Sequence, residues 1–88
     1  MNVQKIYHAL SADDDNSALG IICGELENQG YSVIIDGIQV TSEDFFNGKY
    51  TAIEEKIGPY HIALNKNGEA EQAFSIEFTD YHEFIIKQ

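Results

Sequence analysis

The dipeptide Asp36-Gly37 constrains this chain more than any other pair of residues. It lies inside Tyr31–Val40, YSVIIDGIQV, and both of its residues tolerate the positive φ that a two-residue type I′ turn demands. With these two as the loop, Ile35 falls opposite Ile38 and Val33 opposite Val40. Residues paired across an antiparallel ladder share a face, so four β-branched side chains line one side. Ser32, Thr41, Ile34 and Gln39 line the other, more polar side. A one-residue slip would scatter the apolar set, so turn chemistry and hydrophobic pattern select the same register. The competing reading is one long bent strand with a bulge at Gly37.

The flanking segments read as helices packed on this hairpin. Upstream, Ala18, Leu19, Ile22, Cys23 and Leu26 recur at helical spacing and make one apolar stripe, and Gly30 suits the C′ position. Ser11–Asp14 reads as a capping box, with Asp13, Asp14 and Asp15 at the positive end of the helix dipole. Gly20 and Gly24 are four apart beside that stripe. Each costs up to about 1 kcal/mol relative to alanine, a cost that close approach of a strand or second helix would offset. Downstream, Ser42 with Glu43 and Asp44 starts another helix. Its apolar face is Phe46, Tyr50, Ile53 and Ile57. Asn47-Gly48 interrupts it, leaving a main helix over Lys49 to Lys56 that Gly58-Pro59 ends.

Tyr60, Ile62 and Leu64 alternate with smaller or polar residues, as do Phe74, Ile76 and Phe78, so both segments predict half-buried strands. A two-residue Asn67-Gly68 loop would set Leu64 against Glu71, whereas a three-residue loop over Lys66–Gly68 aligns the apolar faces and is the expectation here. The tail from Tyr81 to Lys87 carries both a helix-cap pattern at Asp80 and Glu83 and the strand-forming run Phe84–Ile86. The strand pairs more naturally with Phe74–Thr79. Val3–Leu10 has mixed apolar residues without strict alternation, which predicts a first strand buried on both faces. The expected fold over residues 1–88 is therefore a single α+β domain, a two-layer sandwich with ferredoxin-like β-α-β-β-α-β order and one or two extra C-terminal strands.

Charge decides which partners to expect. Fifteen acidic residues face five basic ones, all lysine, for a net charge of −10. Affinity for nucleic acid rests on cations neutralising phosphates, so direct nucleic-acid binding and attachment to an anionic membrane are not expected. A basic protein partner is favoured electrostatically. One cysteine, Cys23, leaves no internal disulfide. Neither a signal peptide nor a stretch of the ~20 apolar residues a membrane span needs is visible. The expectation is a soluble, cytoplasmic chain.

No catalytic pattern stands out. Asp13-Asp14-Asp15-Asn16 resembles part of a calcium loop, but Ala18 and Gly24 occupy the positions where an EF-hand needs Gly and Glu. His61 and His82 fall on neighbouring predicted strands, where Asp80 or Glu83 could join them, yet no zinc spacing is present. Cys23 lies mid-helix on the apolar stripe, where a thiol packs rather than reacts. No glycine-rich phosphate motif occurs. No enzyme activity, cofactor or metal is expected. The sequence points instead to a protein-interaction or regulatory domain, with an inhibitor or immunity-type protein as a specific version. The candidate acidic surface is Asp13, Asp14, Asp15, Glu43, Asp44, Glu54 and Glu55. The alternative is a ferredoxin-like domain that binds a small molecule. A homodimer through a sheet edge is compatible with either.

Overall fold

The Asp36-Gly37 turn forms with φ of 50° and 83° at its two residues. In the computed structural model, which describes residues 1–12, 17–80 and 83–88, it joins strands β1 (Ser32–Ile35) and β2 (Ile38–Val40). Val33 pairs with Val40 and Ile35 with Ile38, as the pattern requires. Three of these side chains are buried, whereas Ile38, on the sheet's outer strand, is 49% exposed.

The segment expected as a first strand is instead helix α1 (Val3–Ala12). Half-buried Val3 and buried Ile6 and Leu10 fall at i, i+3 and i+7, a single helical stripe. A strand covered on both faces would have had to bury Lys5 and His8, and burying an unpaired charge is costly. The helix leaves both exposed.

Without that strand the ferredoxin-like order does not arise. The sheet contains β3 (Tyr60–Lys66), β4 (Glu69–Asp80) and β5 (Glu83–Lys87) beside the hairpin. Its order is β2-β1-β3-β4-β5, and every neighbouring pair is antiparallel. β3 takes the place beside β1, setting Leu64 against Val33 and Ile62 against Ile35. Tyr60, Ile62, Leu64, Phe74, Ile76 and Phe84 are buried in one core with Val33 and Ile35, under Ile6, Leu10, Leu19, Ile22, Cys23 and Leu26 of the helices. On the other face His61, Ala73 and Ile85 are exposed, and Ile34, Ala63 and Ser75 half-buried. The fold is thus α+β, with helices on one side of an antiparallel sheet.

The β3–β4 connection resolves a conflict visible in the sequence. The loop is the two-residue turn Asn67-Gly68, with φ of 54° and 81°, and Lys66 pairs with Glu69. The register then shifts between Leu64 and Asn65, so that Leu64 meets Gln72 and Ile62 meets Phe74. Glu71 is the extra residue. The bulge does what a three-residue loop was expected to do: it realigns two apolar faces that a plain two-residue turn would offset. The tail is a strand, with Phe84 opposite Phe78 and Ile86 opposite Ile76. α1 covers this edge. The Tyr7 ring stacks on Phe84 at 4.5 Å and 10°, and its hydroxyl donates to the Phe84 carbonyl at 3.0 Å. An occupied carbonyl on an edge strand is one fewer acceptor for a foreign chain.

Helix α2 (Ala18–Asn28) is capped by Ser17, whose Oγ accepts from Gly20 N at 3.2 Å. The expected cap at Ser11 is not made: Ser11 belongs to α1 and donates to Tyr7 O at 2.9 Å. Asp13, Asp14 and Asp15 lie outside the described residues, and the first turn of α2 contains no acid.

The segment after β2 forms two short helices, α3 (Ser42–Phe46) and α4 (Thr51–Glu54). Gly48, at φ 76°, separates them. This break rotates the faces relative to one continuous helix. Phe45 is buried and meets Tyr50 edge-on at 4.8 Å, whereas Phe46 and Ile57, expected on the apolar stripe, are 49% and 98% exposed. α3 lies on the glycine face of α2: a Cβ built at Gly20 would stand 2.8 Å from Phe46 Cε1 and 3.0 Å from Phe45 Cβ. Glu27 fastens the contact, accepting from Ser42 N at 3.2 Å and from Ser42 Oγ at 2.5 Å.

Candidate functional site

β4 is longer than the strand it pairs with. β3 begins at Tyr60, opposite Ile76, while β4 continues to Asp80. Before Tyr60 the chain turns out of the sheet at Gly58, whose φ is 115°, and Pro59 has no N–H to offer a ladder. Glu77, Phe78 and Thr79 consequently have no strand partner on the β3 side among the described residues. The notch left there is a cleft of about 620 Å³. Leu19, Tyr60 and Phe78 supply apolar surface, Ile57 stands on its margin, and the acidic residues Glu54 and Asp80 line it together with Glu77, whose own carboxylate is bridged to Lys87 at 3.1 Å. Lys56 is the one cation among the lining residues.

Local chemistry keeps this notch open. Tyr60 donates its hydroxyl to Ile53 O at 2.8 Å, which holds the end of α4 over the start of β3. Lys56 is drawn toward the β1–β2 turn, where its ammonium meets Asp36 Oδ2 at 2.7 Å while lying 5.3 Å from the Tyr60 ring centroid. Asp36 Oδ1 also accepts from His61 N at 2.9 Å, and Asp36 N donates to His61 O at 2.8 Å. Partial desolvation works against ionisation of Asp36, but its hydrogen bonds to Lys56 and His61 and the nearby positive charge outweigh it and hold the carboxyl below its ordinary pKa. The Tyr60 phenol is pushed upward, first by burial and then by the Asp36 and Glu54 carboxylates.

The acids singled out from the sequence have separate fates. Asp13, Asp14 and Asp15 lie outside the described residues. Glu43 is exposed in the first turn of α3. Asp44 is occupied by local structure, accepting from Tyr50 Oη at 3.2 Å and Lys49 Nζ at 3.4 Å. Desolvation opposes its charge, while hydrogen bonds with Thr41, Tyr50 and Lys49, together with the Lys49 charge, keep its pKa below the ordinary value. Glu54 and Glu55 are exposed at the end of α4, and of the four candidate acids among the described residues Glu54 alone lines the cleft. Sequence reasoning left Glu77 and Asp80 out of the acidic set, because only the overshoot of β4 past β3 puts them at one cleft with Glu54. It also missed the Asp36–Lys56 pair, which joins residues 20 apart.

Other reactive side chains are placed differently. Cys23 is fully buried, and its thiol pKa is pushed up to about 12 by burial and then by the adjacent Glu27 carboxylate. His61 is exposed on the open sheet face, and its predicted neighbour His82 lies outside the described residues. Among the described residues no group of three His, Cys, Asp or Glu side chains could hold a metal ion, and no helix is long and apolar enough to cross a membrane. A second, shallower depression of about 500 Å³ crosses the open face over Ile34, His61, Ala63, Ala73 and Ser75. No family model, curated protein or solved structure matches the chain, so the geometry carries the functional reading.

Proposed function

We infer that this chain is a non-enzymatic protein-interaction or regulatory domain that recognises a basic protein partner, in the manner of an acidic inhibitor or immunity-type protein. The observation that carries the reading is the β4 cleft, where apolar surface from Leu19, Tyr60 and Phe78 lies beside the acidic residues Glu54 and Asp80, with Glu77 on the same strand edge. A cationic partner complements this excess of acid. Lys56, the cation at the cleft, is already paired with Asp36, and the whole chain carries −10. A fluorescence-anisotropy titration with short lysine-rich and glutamate-rich peptides tests this. Binding of the lysine-rich set that weakens steeply between about 20 mM and 300 mM salt supports it. Equal binding of both sets, or none by either, counts against it.

A second reading has its own support. The cleft volume of about 620 Å³ lies within the roughly 300–1,000 Å³ common for small-molecule sites. Under that reading the occupant is a small amine with an apolar body. A thermal-shift screen of such amines separates the two readings, because a specific ligand raises the melting temperature in proportion to the logarithm of its concentration above Kd.

A further inference from the structure

We propose that the notch beside β4 takes an extended, basic peptide segment of a partner as an added strand, paired to the main chain at Glu77–Thr79. The inference rests on the acidic-interaction reading above and specifies how its partner is held. A strand edge is a template for pairing, and adding a peptide strand to such an edge is a general mode of recognition. This edge differs from the other two. β5 has its Phe84 carbonyl occupied by the Tyr7 hydroxyl, and no residue of β2 lines the cleft. At the notch the edge runs into a cleft that already has walls.

Alternation along β4 defines the peptide. Phe78 is half-buried and edge-on to Tyr60 at 6.0 Å, on the helix-covered face. Glu77 and Thr79 alternate to the other face. A peptide residue placed opposite Phe78 would share its face and meet apolar surface from Leu19 and Ile57. The residues on either side of it would lie on the face of Glu77, whose carboxylate is bridged to Lys87 at 3.1 Å with both side chains largely exposed. Such an exposed bridge holds its lysine weakly, so an incoming cation can share the carboxylate. The segment that fits is therefore an apolar residue flanked by lysine or arginine. A second copy of this chain is a poor occupant, because each copy carries −10 and like charges repel.

The test uses the full chain and a fluorescein-labelled peptide that alternates lysine and valine. Two further versions carry N-methyl groups on either the valine or the lysine amides. Alternate amides of a strand point to opposite edges, so an added strand makes only one methylated set fail. That set should bind roughly tenfold more weakly, while the other stays within about twofold of the parent. Amide NMR signals of Glu77, Phe78 and Thr79 should move on titration. Glu54→Lys should weaken binding more than Glu69→Lys, the same charge change at the β3–β4 turn. Equal binding of both methylated peptides with salt sensitivity retained would overturn the added strand and leave the acidic-interaction reading standing. Binding by none of the three would remove both. Amide shifts confined to other surfaces would overturn the location.

Discussion

The approach of α3 to α2 predicts that two alanine substitutions one helical turn apart have opposite signs. Gly20 and Gly24 both lie inside α2, so on propensity alone each change to alanine should stabilise by up to about 1 kcal/mol. At Gly24 nothing opposes this gain: the nearest atoms to a new methyl would be Ser42 Cβ at 3.5 Å and Ser42 Oγ at 3.7 Å, ordinary contacts. At Gly20 the new methyl would stand 2.8 Å from Phe46 Cε1, 3.0 Å from Phe45 Cβ and 3.3 Å from Phe46 Cδ1. The Phe46 ring is half exposed and can rotate away at small cost. Phe45 cannot, because it is buried and its Cβ moves only with the α3 backbone. Inserting a methyl into a packed contact costs about 1–3 kcal/mol. Net of the propensity gain, Gly20→Ala should lose about 0.5–1.5 kcal/mol, while Gly24→Ala should gain about 0.5–1 kcal/mol. Urea denaturation followed by circular dichroism measures both, with unchanged m-values showing that the two-state comparison holds. In thermal melts each kcal/mol amounts to roughly 4–8 °C in a domain of this size. Equal stabilisation by both substitutions would refute the close α2–α3 contact and the explanation of Gly20 built on it.

Three further outcomes follow from named contacts. Asp36 has a lowered pKa in the folded state, so its contribution is present above the unfolded carboxylate pKa of about 3.9 and disappears as pH falls through the lower folded value. Asp36→Asn keeps a turn-compatible residue, so a pH series of urea midpoints should show a shallower loss of stability below about pH 4 than the parent; identical slopes would deny the Lys56 pairing its role. Cys23 should stay unmodified by a thiol reagent at neutral pH in the folded protein and react at once in urea, because burial and Glu27 disfavour the thiolate; rapid native labelling would contradict its packing. Tyr7→Phe removes only the hydrogen bond to Phe84 O and should cost about 0.5–1.5 kcal/mol. Tyr7→Ala also removes the ring stack and should speed amide exchange across β5, and unchanged exchange there would show that α1 does not protect that edge.

Much of the local structure could be read from particular residues. Asp36-Gly37 with its β-branched flanks specified the first hairpin and its register. The Leu19, Ile22, Cys23 and Leu26 stripe specified α2, and Phe84–Ile86 specified the last strand. These features succeed because turn dihedrals and burial periodicity are properties of a few consecutive residues. Val3–Leu10 was harder. Five of its eight residues are apolar without strict alternation, and Val3, Ile6 and Leu10 stand out as a helical stripe only once Lys5 and His8 are required to reach solvent. The Phe46–Ile57 stripe failed for a different reason. A positive φ at Gly48 restarts the helical phase, so a pattern counted across it joins residues on different faces. Glu71 shows the reverse case, in which the turn residues and the apolar pattern asked for different loop lengths and a bulge satisfied both.

What the sequence alone determined, then, was the set of elements whose signals are local, together with the excess of negative charge. Tertiary structure decided which strands are neighbours and where each one ends. The candidate site belongs wholly to that second category. Of its residues only Glu54 stands out in the sequence, as one of seven candidate acids, while Tyr60 and Glu77–Asp80 look like ordinary strand residues. They form a cleft because β4 runs past the beginning of β3 and because Gly58 and Pro59 turn the chain out of the sheet at that point. Strand overshoot is a difference between two lengths set by long-range pairing, and no short window of sequence contains it.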